Sequence, residues 1–176
     1  MAMQEKSRIK LEHVELFYKF ALAASSPVNS RRLNYLDTFS YLKHVVKKNE
    51  VKLTASEEKT GARILEHVGT YMMMLQLNKV LEDEWGKNRL QSKDNDIQNI
   101  SQVVRLIRNA FAHDPFEPCW NISNSSKNKE FEIPGILTLK TVDLHGKKLE
   151  RKHYGGPLAL LRLLQFTKKK LEKSTT

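Results

Sequence analysis

The spacing of apolar and polar positions predicts a mainly helical chain. From about Lys6 to Ala24, Ile9, Leu11, Val14, Leu16, Phe17 and Phe20 recur at intervals of three and four. This gives an amphipathic helix with a wide apolar stripe, stopped by Ser25-Ser26-Pro27. A second helix is predicted from near Ser30 to about Lys48, with Leu33, Leu36, Phe39, Tyr41, Leu42, Val45 and Val46 facing inward. Thr54-Ala55-Ser56-Glu57 has the form of a capping box and opens the longest periodic segment, which runs to about Trp85 and stops at Gly86. Its expected buried side is Ile64, Leu65, Val68, Met72, Leu75, Val80 and Leu81. Gly69 interrupts it, and Met72-Met73-Met74 read as adaptable core packing. After a polar loop, a fourth helix spans about Asp96 to His113 and ends at Asp114-Pro115, because the residue before proline avoids helical geometry.

The periodicity then changes. Trp120–Ile122, Phe131–Ile133, Ile136–Val142 and a short piece near Leu149 show period-two or β-branched character, with turn signals at Pro134-Gly135 and Leu144-His145-Gly146. They predict a small antiparallel sheet of about three strands. A last helix follows Gly155-Gly156, with Pro157 in its first turn, and continues to about Leu171. The expected fold is therefore mainly α: a bundle of about five helices with a small antiparallel sheet inserted before the last. It forms one domain over residues 1–176, with the bundle at about 5–114, the insertion at about 119–154 and the final helix at about 156–172. The final helix is too apolar to stand alone.

Composition narrows the function classes. A length of 176 residues suits one domain with its own core. No apolar run approaches the roughly 18 residues of a membrane span, and the charged start has no secretory h-region. The single cysteine, Cys119, excludes a disulfide framework and a cysteine zinc cluster; it is expected to be a small buried hydrophobe. It fits a reducing compartment, so cytoplasmic residence is expected. Thirty Lys and Arg against twenty Asp and Glu give a net charge of +10. That balance favours a polyanionic partner such as RNA, DNA or acidic lipid, although lysine runs also serve as solvated surface.

The candidate chemistry lies in Val103-Val104-Arg105-Leu106-Ile107-Arg108-Asn109-Ala110-Phe111-Ala112-His113. On a helical wheel, Val103, Val104, Ile107, Ala110 and Phe111 fall on one side, and Arg105, Arg108, Asn109, Ala112 and His113 on the other. Asn109 and His113 stand one turn apart and can meet. Arg offers a fork of donors to a phosphate and His titrates near neutrality, while Asn can hold a hydroxyl or the imidazole in place. Placed in the last turn, the His would have its protonated ring favoured by the helix dipole. Metal-free RNA cleavage needs a base, a cation at phosphorus and an acid for the leaving 5′-oxygen. The alternative is that Arg108 and His113 are surface residues paired with carboxylates nearby.

Arg108-Asn109-Ala110-Phe111-Ala112-His113 resembles the Arg-x4-His motif of the HEPN superfamily, including the polar residue that commonly follows its Arg. A helical start, a motif late in the bundle and one more helix after it are also similar to HEPN domains. The segment from Cys119 to Tyr154 lies outside their common core. The resemblance implies a homodimer whose motif helices face each other across a shared site. It implies a metal-independent endoribonuclease of the toxin–antitoxin or defence kind, or a HEPN module that binds nucleotide or RNA, or regulates a partner protein, without cutting. In that reading Arg108 contacts the scissile phosphate, His113 is the acid/base and Asn109 positions them. Twofold symmetry supplies the second histidine. A neutralising or regulatory protein partner is compatible with it; no cofactor and no membrane partner are expected. HEPN toxins paired with minimal nucleotidyltransferases often carry a Tyr two positions after the His. Here that position is Pro115, which puts such regulation in doubt.

Other residues carry weaker signals. Arg105 could meet a neighbouring phosphate or a carboxylate of the other protomer, and Lys152, with His153 and Tyr154, could extend an RNA path. Loop polarity explains the latter equally well. His13, His44, His67, His145 and His153 form no metal-binding pair at helical spacing, and a metal role is not expected. Trp85 and Trp120 read as packing anchors.

Overall fold

The computed structural model describes residues 3–25, 38–41, 44–47 and 53–173. Helix α1 (Glu5–Ser25) buries Ser7, Leu11, Val14, Tyr18 and Ala21, a seam at alternating intervals of three and four. Ile9, Leu16, Phe17 and Phe20, expected on that stripe, are exposed instead; Leu16 is 69% exposed. Its apolar positions cover more than one face, and only the narrower seam meets a partner helix.

That partner is α2 (Ala55–Trp85). Thr54 is its N-cap, and the capping box is complete: Glu57 N donates to Thr54 Oγ1, and Thr54 N donates to Glu57 Oε2. The helix ends at Gly86, whose φ of 78° is a left-handed value that glycine adopts freely. Gly69 is a contact point rather than a weak spot. A Cβ built there would lie 2.9 Å from Ala21 Cβ, so its absence lets α1 and α2 cross closely. The buried set is Met73, Met74, Leu77, Val80 and Leu81, with Met72 exposed. Val80 and Leu81 are buried as expected, whereas earlier in the helix the face is rotated by one residue, with Gly69 and Met73 buried in place of Val68 and Met72.

β1 (Thr38–Tyr41) and β2 (His44–Lys47) pair antiparallel, with Phe39 opposite Val46. This corrects the helix predicted to Lys48; the first part of that prediction, 30–37, lies outside the described residues. Short runs rich in β-branched and aromatic residues satisfy either period, and here strand preference prevails. The described residues therefore hold four α-helices and two two-stranded sheets.

A 3-10 turn (Lys87–Gln91) leads to α3 (Asn95–Phe111), which buries Ile100, Val103, Val104, Leu106, Ile107, Ala110 and Phe111. The insertion contains one hairpin, β3 (Glu130–Ile133) with β4 (Leu137–Lys140). Its inward residues Phe131, Ile133, Leu137 and Leu139 are buried. The expected third strand is reduced to a single bridge between Cys119 and Lys148. Trp120 still anchors the insertion: it is 1% exposed and its Nε1 donates to His153 Nδ1 at 2.9 Å. Cys119, expected to be buried, is exposed. Its Sγ donates to Glu117 O at 3.6 Å.

α4 (Gly156–Lys173) returns to the bundle, burying Leu160, Leu163, Leu164 and Leu171. Polar ties fix its seat. Lys168 and Gln165 meet Glu15 of α1 at 2.7 and 3.2 Å, and Lys170 reaches Asp96 at 2.8 Å. Burial opposes the charge on Glu15, yet Lys168, Lys19 and Gln165 together hold its pKa down to about 2. No helix among the described residues is long and apolar enough to cross a membrane.

Candidate functional site

The site is built on the exit of α3. Asp94 caps the start, its Oδ1 accepting from Asp96 N and Ile97 N. Burial works against its charge, but the Ile97 amide and Lys170 keep its carboxyl below the ordinary range. At the other end the helix stops at Phe111, two residues before His113. Asp114 Oδ1 accepts from Phe116 N at 2.8 Å and Glu117 N at 3.0 Å, so a side-chain turn replaces a further helical turn. Cys119 N then donates to Ala110 O at 3.1 Å, returning the chain against the last helical turn and satisfying a carbonyl the helix leaves free.

This exit presents the motif. Arg108 Nη1 donates to Asn109 Oδ1 at 2.9 Å, and both residues are half-buried. Arg108 has no carboxylate partner among the described residues, so the surface ion-pair alternative does not hold for it there. Ala112 and His113 are exposed. The helix ends at Phe111, and among the described residues no hydrogen bond joins His113 to Asn109, the neighbour expected within its reach. The ring is met by Asn121 of the insertion, with Nδ2 and Nε2 3.4 Å apart. Asn121 had no signal in the sequence; only the return of the chain after Cys119 brings it there.

His67 is the other residue that the tertiary structure adds. From the middle of α2, its ring stands edge-on to Phe111 at 6.0 Å, and its Nδ1 lies 3.3 Å from the Phe116 carbonyl. Tyr71 stacks on Phe111 at 5.9 Å, so α2 holds the exit of α3 from beneath. Phe116, two residues past Asp114, is 55% exposed. It offers an aromatic face beside the motif.

Arg105 and Lys152 stand apart from this group. Arg105 is half-buried; its Nη2 donates to Gln102 Oε1 at 2.9 Å and Ser126 Oγ at 2.8 Å. Burial, then the nearby Arg89, push its pKa down from the usual guanidinium value. Lys152 pairs with Glu150 on the rim of a separate cleft of about 390 Å³, which Lys147, Lys148 and His153 also line. No group of three or more His, Cys, Asp or Glu among the described residues is placed to hold a metal.

Comparisons with family models, curated proteins and solved structures found no match for this chain.

Proposed function

We propose that this protein is a metal-independent endoribonuclease whose active site is completed by a second copy of the chain. One observation carries the reading: at the exit of α3, a half-buried Arg108 free of any described carboxylate stands with an exposed His113 and small Ala112. A guanidinium desolvated without an anion is primed for one, and a phosphate diester supplies it. The net charge of +10 draws the polyanion in, and Phe116 gives an unpaired base a surface to stack on.

The reaction needs two proton transfers. His113 of one protomer takes the proton from a 2′-hydroxyl, and the 2′-oxygen attacks phosphorus. The P–O5′ bond breaks, and the twofold-related His113 protonates the leaving 5′-oxygen. The products are a 2′,3′-cyclic phosphate and a 5′-hydroxyl. Arg108 stabilises the extra charge on the phosphoryl oxygens. Asn109 fixes the guanidinium through its Oδ1, and Asn121 orients the imidazole.

The test is incubation of end-labelled RNA with the protein and with its His113→Ala variant in EDTA. Cutting by the parent alone, leaving cyclic-phosphate ends, supports the reading. Equal cutting by both overturns it. A second reading, a module that binds RNA or nucleotide without turnover, is favoured by the position of His113 past the end of the helix that carries Arg108 and Asn109. It requires salt-sensitive binding, weakened in Arg108→Ala, with no cleavage by either protein.

A further inference from the structure

We infer that the seam between the 3-10 turn at Lys87–Gln91 and the polar stripe of α3 is a binding site for a phosphate-class oxyanion, distinct from the motif at the helix exit. Gln98, Ser101, Gln102 and Arg105 share that stripe. Gln98 and Gln102 both donate to Leu90 O, at 3.5 and 3.2 Å, and so clamp the turn onto the helix. Arg105 joins the clamp through Gln102 Oε1. From the facing side, Arg89 is 7% exposed and donates to Gly86 O and Asn78 Oδ1, each at 3.1 Å.

What this seam lacks among the described residues is an anionic acceptor. Arg89 Nε, Arg105 Nε and Ser101 Oγ are all buried without a hydrogen-bond partner among the described residues. Trp85 Nε1, two turns from Asn78 on the same face of α2, is a fourth such atom. Neither arginine has a carboxylate partner among the described residues, and the charged group that acts on Arg105 is another cation, Arg89. Ordinary folds pair buried guanidinium groups with carboxylates and leave few buried donors unmet. Here three arise on two facing elements, two of them charged and only the serine able to accept. A dianionic phosphoryl group matches that set: it brings two negative charges and several acceptor oxygens, and guanidinium is its usual partner. Arg105 is only half-buried, so the seam opens to solvent at that end.

The phosphoryl group could be inorganic phosphate or the terminal phosphate of a nucleotide or RNA, and the experiment separates these sources. Thermal unfolding of the full chain is followed in roughly 5 mM phosphate and in chloride of equal ionic strength, a range in which general salting-out is small. Calorimetric titrations use phosphate, AMP against adenosine, and a short RNA with a 5′-phosphate against its 5′-hydroxyl form. The expected result is a phosphate-specific rise in Tm, roughly 5–10 °C at hundredfold excess over Kd. Ser101→Ala and Arg105→Met should fold and lose most of that rise. Tighter binding of AMP or 5′-phosphoryl RNA than of their hydroxyl counterparts assigns the site to a nucleotide source. A rise from phosphate alone assigns it to the free ion. Equal Tm in phosphate and chloride, with no heat from any phosphorylated ligand, overturns the proposal whatever the outcome of the cleavage assay.

Discussion

Arg108 stands in the last turn of α3, hydrogen-bonded to Asn109, and His113 lies two residues past the end of that helix. Their substitution should therefore give different signatures. His113→Ala should lower the single-turnover cleavage rate by about 10²–10⁴, with RNA affinity nearly unchanged. Arg108→Ala should lower the rate by about 10²–10³ and weaken binding as well, because the guanidinium meets phosphate in both ground and transition states. Equal, purely affinity-based losses in the two variants would move His113 out of the chemistry. A separate histidine makes a prediction about pH. His153 Nδ1 accepts from both Trp120 Nε1 and Glu150 N, so the neutral ring carries its proton on Nε2. Burial, ahead of the opposing pull of Glu150, lowers its pKa. A histidine with a lowered folded pKa binds its proton better when unfolded. Its contribution is therefore present above about 6.5 and is lost as pH falls from there through the folded value. Trp120 fluorescence followed during denaturation from pH 7.5 to pH 5 should show the insertion weakening on acidification. His153→Gln should flatten that dependence.

Helix α2 shows how one residue type takes opposite roles along an element. Gly61 has nothing within 4 Å of a built Cβ, whereas at Gly69 that atom meets Ala21 Cβ. Gly61→Ala should stabilise the protein by about 0.5–1 kcal/mol through helix propensity alone. Gly69→Ala should destabilise it by about 1–3 kcal/mol, because α1 must retreat across a packed seam. Chemical denaturation of the two variants gives the contrast, and a stabilising Gly69→Ala would remove the close crossing from the account. The insertion acts as an element too. Asn99 Nδ2 donates to Glu132 O, Arg105 meets Ser126 and His113 meets Asn121, so the insertion holds two points along α3 and one just past its exit. Glu66 adds a tie from α2: it is 6% exposed and takes both Nε and Nη2 of Arg151, just before α4. Insertion and α2 together lock the exit of α3 in a single arrangement.

At the scale of the whole molecule, the proposed chemistry needs two chains, since one exposed His113 per chain cannot serve as acid and base at once. Cleavage per chain should therefore fall on dilution through the dimer dissociation constant, and sedimentation at assay concentration should give twice 20.4 kDa. Cleavage by a species that sediments at 20.4 kDa would remove the shared site. The apolar residues on the outer side of α1, with Leu16 and Phe20 at 69% and 66% exposure, are the largest such group along one described helix.

Much of this protein was legible in its residues because the information is local. The capping box at Thr54, the stop at Gly86, the paired glycines before α4 and the amphipathic division of α3 all depend on neighbours within a turn or two. Local rules also placed Arg108 and Asn109 in the last turn of α3; His113 lies two residues past its end. They failed where two local readings compete. Residues 38–47 could satisfy either period, and the apolar positions of α1 marked more surface than one partner helix can cover. The helix α3 ends two residues earlier than proline alone required, where the Asp114 side chain caps the following turn. Tertiary structure alone decided the rest: Gly69 against Ala21, His67 beneath Phe111, Asn121 against His113, and Arg89 near Arg105 with no carboxylate paired to either among the described residues. These pairings join residues eight to forty-eight positions apart through the course of the chain. Pattern within a helix specifies which face is buried, but not which distant side chain it meets; that follows only when burial of the whole core fixes how the elements cross.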